Sequence, residues 1–299
     1  SPRGPPVVQV VDARFEGKDL FVLMGHGGQS LREKFVQPAK GFKMARTPRE
    51  LADSMVIVYH VLSSVEKLHE LNVVHCDVKP DNFVVADGGA QFPQARIIDF
   101  DMAVSFSTGK QTRRIGGTRN YQSHDSRSDE CPPEADIWAL GVMLLELLRG
   151  RWPRGAKPRQ LDELIFFADV IQRTFPAESD DFQFHPQLLQ FASTPRNLKF
   201  LTGLASRFNS MIKNLLSKGR VNLFKNVTQE ARSIAEDAAE FAQYRARFGF
   251  VDGDMDWSVE PSVVPALDKA CLGAIHSQNS VEGLLGHKTL QECLNLVPM

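Results

Sequence analysis

Cysteine is scarce and scattered in this 299-residue chain: Cys76, Cys131, Cys271 and Cys293 lie far apart, with no C-x-x-C pair. That spacing argues against a zinc site and against a disulfide framework, and it fits a reducing compartment. No run approaches the roughly 18 apolar residues of a membrane span, and the opening SPRGPP lacks the apolar centre of a signal peptide. A soluble, intracellular protein is therefore expected, cytoplasmic or nuclear, with no membrane partner. Charge of neither sign is in excess, since 35 basic residues face 36 acidic ones, so no nucleic acid partner is expected. Internal repeats and low-complexity tracts are also lacking. What the chain does have is a 42% hydrophobic content, enough to fill the core of one large domain or two smaller ones. It begins at Ser1 rather than Met, which leaves a processed product and a fragment of a longer protein both open.

Two β-type runs, VVQVV and LFVLM, are joined by the polar EGKD and predict a hairpin or two neighbouring strands between Val7 and Met24. A long helix follows in TPRELADSMVIVYHVLSSVEKLHEL. Thr47 is placed as its N-cap, Pro48 stands at the first helical position and Glu50 completes a capping box. Leu51, Met55, Val58, Leu62 and Val65 recur at steps of three and four, so one stripe faces a core. Short strands are expected at Val73–Val74, Phe83–Val85 and Arg96–Ile98. A second helix, in PPEADIWALGVMLLELLRG, opens at Pro132 and Pro133, closes at Gly150, and is apolar on most faces, hence buried. Beyond Gly150 the pattern is helical, with stripes at Leu161–Ile171, Leu198–Leu215 and Val227–Phe248. The last two fit a core-facing and a partner-facing role equally well.

The stretch VVHCDVKPDNFVV places Asp77, Lys79 and Asn82 on a loop between strands, and a second acid, Asp99, follows the strand ARII. Phosphoryl transfer needs this set of groups: a carboxylate to orient the attacking hydroxyl, a cation to offset developing charge, and hard oxygen ligands for a divalent metal. Asp77 suits the first task, Lys79 the second, and Asn82 with Asp99 the third.

HCDVKPDNF resembles the H-R-D-x-K-x-x-N catalytic loop of eukaryotic protein kinases of the serine/threonine type, and DFD resembles their D-F-G magnesium motif. GGTRNYQSHD is similar to the segment that ends the family's activation loop, which assigns Thr118 to the threonine that bonds the catalytic aspartate and lysine. DIWALG is similar to the family's buried helix, where Asp136 would bond the backbone of the catalytic loop. LFVLMGHGGQSL resembles the fifth strand and hinge, making Met24 the gatekeeper and Gly25 and Gly27 the backbone partners of adenine. Five motifs in family order over Val7–Gly150 are a far more specific signal than any one of them. The resemblance implies an α+β, protein-kinase-like fold, mainly the helical C-lobe with the hinge and last strands of the N-lobe. It also implies ATP and Mg2+ as cofactors and a protein substrate. Residues 1–24 are then residual N-lobe strands and 25–299 the C-lobe, with an insertion at about 179–262 that is expected to receive a regulatory protein.

The departures from the pattern are specific. The glycine-rich loop and the strand lysine paired to a helix glutamate have no counterpart before Pro6. Cys76 replaces the arginine that grips an activation-loop phosphate and is expected to be a small apolar filler. Asp101 stands in place of a flexible glycine, Ser123-His124-Asp125 in place of A-P-E, and Gly283 in place of the arginine that pairs with that glutamate. A pseudokinase that binds partners without catalysis is the alternative these changes leave open, and a small alcohol or sugar acceptor is a third.

Overall fold

The computed structural model describes residues 7–8, 10–16, 19–38, 40–86, 92–105, 117–123, 131–150, 184–217 and 219–243. The expected stripe at Leu161–Ile171, the residues His124, Asp125 and Gly283, and the end of the chain lie outside them. The chain divides into two units, residues 1–27 with 250–299, and residues 28–249.

In the first unit, β1 (Val10–Glu16) and β2 (Asp19–Met24) form an antiparallel hairpin, the first of the two expected arrangements, paired from Val10↔Met24 to Glu16↔Asp19 with a bulge between Val10 and Asp12. The first strand lies further along the chain than VVQVV suggested, because pairing continues through DARFE up to the turn. Met24 ends β2, and Gly25 and Gly27 follow it.

The second unit holds the predicted loop. β3 (Gln29–Ser30), β5 (Phe83–Ala86) and β6 (Gln94–Ile97) make a three-stranded antiparallel sheet in the order β3-β5-β6, and β4 (Val73–Val74) pairs with β7 (Val104–Ser105). Helix α1 (Pro48–Glu70) starts as its sequence dictates. The Thr47 hydroxyl accepts the Glu50 N–H at 3.2 Å, while the Glu50 carboxylate reaches one residue past the cap, to the Arg46 N–H at 2.6 Å. Its predicted stripe is fully buried, and Val56, Ile57 and Val61 are buried with it, so α1 runs through the core rather than along its edge.

Helix α2 (Pro133–Arg149) is buried from Ala135 to Arg149 and stops at Gly150, whose φ of 67° is the left-handed conformation of a helix end. Gly141, the glycine of DIWALG, is a contact residue: a Cβ there would sit 2.7 Å from Leu216 Cδ2. α3 (Pro186–Gln190), α4 (Pro195–Leu215) and α5 (Arg220–Phe241) follow.

The stripes on α4 and α5 face the core. Leu201, Leu204, Phe208, Met211 and Leu215 of α4 and Val227, Ala231, Ile234 and Ala235 of α5 are all buried. α5 packs along α1, and both helices pack on α2. Of the Leu198–Leu215 stripe only Leu198, 48% exposed, is available to a partner. These helices, which fall within the expected insertion, thus each pack one face against the core of this unit. Arg207 ties them together, bonding Glu230 and Asp237 at 2.5 Å and Ser233 at 2.8 Å. α5 stops at Phe241, ahead of the predicted Phe248, with Gln243 in the left-handed region.

Candidate active site

The loop between β4 and β5 is held from below by one buried carboxylate. The backbone N–H groups of His75 and Cys76 donate to Asp136 Oδ2 (2.7 Å) and Oδ1 (2.8 Å), and His69 Nε2 lies 3.0 Å from Oδ2. This matches what the sequence assigned to Asp136, and it fixes Cys76 at φ 64°, a region that non-glycine residues rarely occupy. The Cys76 thiol forms no disulfide, donates to Val74 O at 3.6 Å and packs with Val74, Val104, Cys131 and Ala135, in keeping with the small apolar filler expected.

His75 braces the loop from the side: Nδ1 accepts the Asp77 N–H at 3.3 Å, and Nε2 donates to Ile98 O at 3.0 Å. Ile98 is anchored a second time, donating its N–H to Asn82 O at 2.9 Å. Asp99 comes directly after this double anchor, at φ 65° and exposed to solvent. Asp101, in the place of a glycine, has no positive φ, and the turn around it closes through the Ala103 N–H on Phe100 O at 2.9 Å. The substitution therefore introduces no left-handed strain at this position.

Four of the predicted side chains converge. Asp77 Oδ1 accepts the Thr118 N–H at 2.8 Å, and Oδ2 accepts Lys79 Nζ at 2.5 Å and Asn82 Nδ2 at 3.3 Å. Asn82 Nδ2 also donates to Asp77 O at 2.9 Å, and Lys79 Nζ donates to Thr118 Oγ1 at 3.1 Å. With its nitrogen turned to Asp77, the Asn82 amide leaves its oxygen without a protein partner among the described residues, and the Asp99 carboxylate is likewise unpartnered among them. Met24, Gly25 and Gly27 belong to the other unit.

Burial would raise the pKa of Asp77, but hydrogen bonds from Lys79 and from the Thr118 hydroxyl and N–H outweigh it and hold the carboxyl below its ordinary value. Because the folded value is depressed, the stabilisation is present above the ordinary carboxylate range and is lost as pH falls through the folded value. The stability gap between wild type and Asp77→Asn is therefore expected to be full near neutral pH and to narrow below about pH 4. Urea unfolding across that range reads it. A gap that persists undiminished in acid would mean Lys79 and Thr118 do not hold the carboxylate.

A second polar cluster, which the sequence did not reveal, lies beside the first. Arg32, at the start of the π-helical turn Arg32–Val36, bonds Asp81, Glu146 and Tyr121. Its available signal was an acid, Glu146, inside the apolar run VMLLELL; a buried charge of that kind requires a partner.

Residues 3–228 match the family model of the protein kinase domain. The chain belongs to this family. Its α+β fold of mostly helical content with small sheets is that of a protein kinase domain. This kinase domain is 32% identical over 145 residues to the striated muscle preferentially expressed protein kinase of Danio rerio, covering 48% of this chain and 4% of the relative. It is 32% identical over 135 residues to calcium-dependent protein kinase 22 of Oryza sativa subsp. japonica, covering 45% and 22%. With serine/threonine-protein kinase dkf-1 of Caenorhabditis elegans it shares 26% identity over 159 residues, covering 50% and 20%. The chain thus spans less than a quarter of each of these relatives.

Proposed function

We propose that this protein is a serine/threonine protein kinase that transfers the γ-phosphoryl group of ATP to a protein hydroxyl. The observation that carries the reading is the convergence on one carboxylate: Lys79 and the Thr118 N–H occupy opposite oxygens of Asp77, while Asn82 Oδ1 and the Asp99 carboxylate have no partner among the described residues.

The donor set fits Mg2+. The ion takes hard oxygens and is held by one or two protein groups together with substrate phosphates, rather than by an all-protein cage. Asn82 and Asp99 offer two such oxygens, and among the described residues no three His, Cys, Asp or Glu side chains cluster into a cage. When bound, Mg2+ and ATP supply the transferable group and neutralise charge on its oxygens.

The protein's own residues do the rest. A carboxylate held below its ordinary range is a weak base, so Asp77 accepts a hydrogen bond from the incoming hydroxyl and orients it, taking the proton only as transfer proceeds. Lys79 brings positive charge to the same point, and Thr118 fixes the lysine. In this reading Met24, Gly25 and Gly27 receive the adenine, the acceptor is a serine or threonine of a protein, and the setting is intracellular. The D-x-K-x-x-N spacing of Asp77, Lys79 and Asn82 and the similarity to serine/threonine kinases support that acceptor.

The test is transfer of labelled phosphate from ATP, with and without Mg2+, to panels of serine-, threonine- and tyrosine-containing peptides and of small alcohols. Mg2+-dependent labelling of serine or threonine is expected. Labelling of alcohols alone, or of nothing, would overturn the reading.

A further inference from the structure

Nothing in the transfer chemistry calls for Arg32, yet its side chain joins three separate elements. Nε lies 2.8 Å from both oxygens of Asp81, Nη1 donates to Glu146 Oε1 at 3.2 Å, and Nη2 donates to the Tyr121 hydroxyl at 2.6 Å. That hydroxyl in turn donates to Glu146 Oε2 at 2.6 Å. Burial first, and then the neighbouring Glu146 charge, push the Tyr121 phenol above its ordinary range, so it remains an O–H donor.

The partners are placed tellingly. Asp81 is in the 3-10 turn Pro80–Asn82 and precedes Asn82. Tyr121 closes the turn that begins at Thr118, through its N–H on Thr118 O at 3.0 Å. Glu146 is fully buried in α2, in a run that is buried from Ala135 to Arg149. One guanidinium thus meets the segment carrying Asn82, the segment carrying Thr118, and the helix beneath both.

We infer that Arg32 is a positioning residue: its guanidinium holds the Asn82 turn and the Thr118 segment in register on α2, so that Asn82 and Thr118 meet Asp77 from opposite sides. The purpose of that register rests on the kinase reading above; the register itself does not. The three arms differ in strength. The Asp81 side chain is 43% exposed and its pairing is screened by water. The Glu146 carboxylate is fully buried, and a buried carboxylate left without its cation is strongly destabilising. Lysine keeps the charge but gathers its donors on one nitrogen, so it cannot reproduce the spread of Nε, Nη1 and Nη2 over these three partners.

The decisive reporter is the Thr118 amide, whose N–H donates to Asp77 Oδ1. Its hydrogen-exchange protection can be followed by NMR in the whole protein without any catalysis. Two variants are needed: Arg32→Lys, which keeps a cation opposite Glu146, and the double variant Arg32→Gln with Glu146→Gln, which removes both charges and leaves no orphan. In each, protection at Thr118 is expected to fall by about tenfold or more while the amides in the middle of α2 keep theirs. In the transfer assay kcat is expected to fall about tenfold, with KM for ATP little changed.

Unchanged Thr118 protection in both variants, or loss in equal proportion at Thr118 and throughout α2, would overturn the inference; the latter is what a purely structural role produces. If wild type transfers no phosphate but Thr118 protection still depends on Arg32, the positioning role stands and the kinase reading fails. If transfer and protection both survive the substitutions, the reverse holds.

Discussion

Asp77→Asn is expected to lower phosphate transfer by about a hundredfold or more while the protein remains folded. Asparagine keeps one oxygen, which can still accept the Thr118 N–H now at 2.8 Å from Oδ1. What it loses is the second anionic oxygen, which accepts both Lys79 and Asn82. The amide that replaces it turns N–H groups toward an ammonium and another amide nitrogen, so the local cost in stability is about 1–3 kcal/mol. That is small beside the loss of the anion to which Lys79, Asn82 and Thr118 converge and which this cluster presents to an incoming hydroxyl. Rates should be compared well below the unfolding temperature of the variant, with circular dichroism showing the same helical content for both proteins. A variant that is folded and transfers phosphate at the wild-type rate would remove Asp77 from the chemistry and take the proposed mechanism with it.

The elements most legible in the sequence were those whose local signals and burial agree. Thr47, Pro48 and Glu50 marked the start of α1, and the Pro132-Pro133 and Gly150 pair marked both ends of α2, because capping groups act within one turn of the residues they satisfy. The cluster around Asp77 was legible for a related reason. Asp77, Lys79 and Asn82 are close in the chain, and the segments bearing Thr118 and Asp99 are recognisable by motif.

Less legible was everything set by which surface meets which. The stripes of α4 and α5 have the same periodicity whether a helix faces its own core or a partner, and only packing on α1 and α2 decided between them. Arg32 and Glu146 are 114 residues apart, and neither belongs to a spacing pattern. Glu146 showed itself only as a charge in an apolar helix, while Arg32, in LREKF, looks like any surface arginine. The position of Asp101 teaches the converse. The motif suggested that losing a glycine would restrict the backbone, whereas the left-handed residues nearby are Cys76 and Asp99.

Asp136→Asn is expected to destabilise the protein by about 3 kcal/mol, nearly as much as Asp136→Ala, although it changes the shape of the side chain very little. Three donors converge on the two oxygens of this carboxylate: the N–H groups of His75 and Cys76 and the ring nitrogen of His69. An amide offers one oxygen. Whichever way it is turned, its nitrogen confronts a backbone N–H at under 3 Å, and that donor is left buried and unsatisfied. Bulk solvent does not reach this carboxylate to relieve the mismatch, since Asp136 is 1% exposed. The backbone strain at Cys76 adds to the cost, because φ 64° is kept only while the surrounding bonds enforce it. Urea unfolding measures the stability loss, and hydrogen exchange at the His75 and Cys76 amides shows where it falls. Since Asp77 follows Cys76 directly, loosening at these two amides should displace the carboxylate and lower transfer in the same variant. If Asp136→Asn instead matches wild type in stability while Asp136→Ala does not, a single hydrogen bond suffices, and the loop owes its shape chiefly to the β4–β7 pairing and the apolar cluster under Cys76.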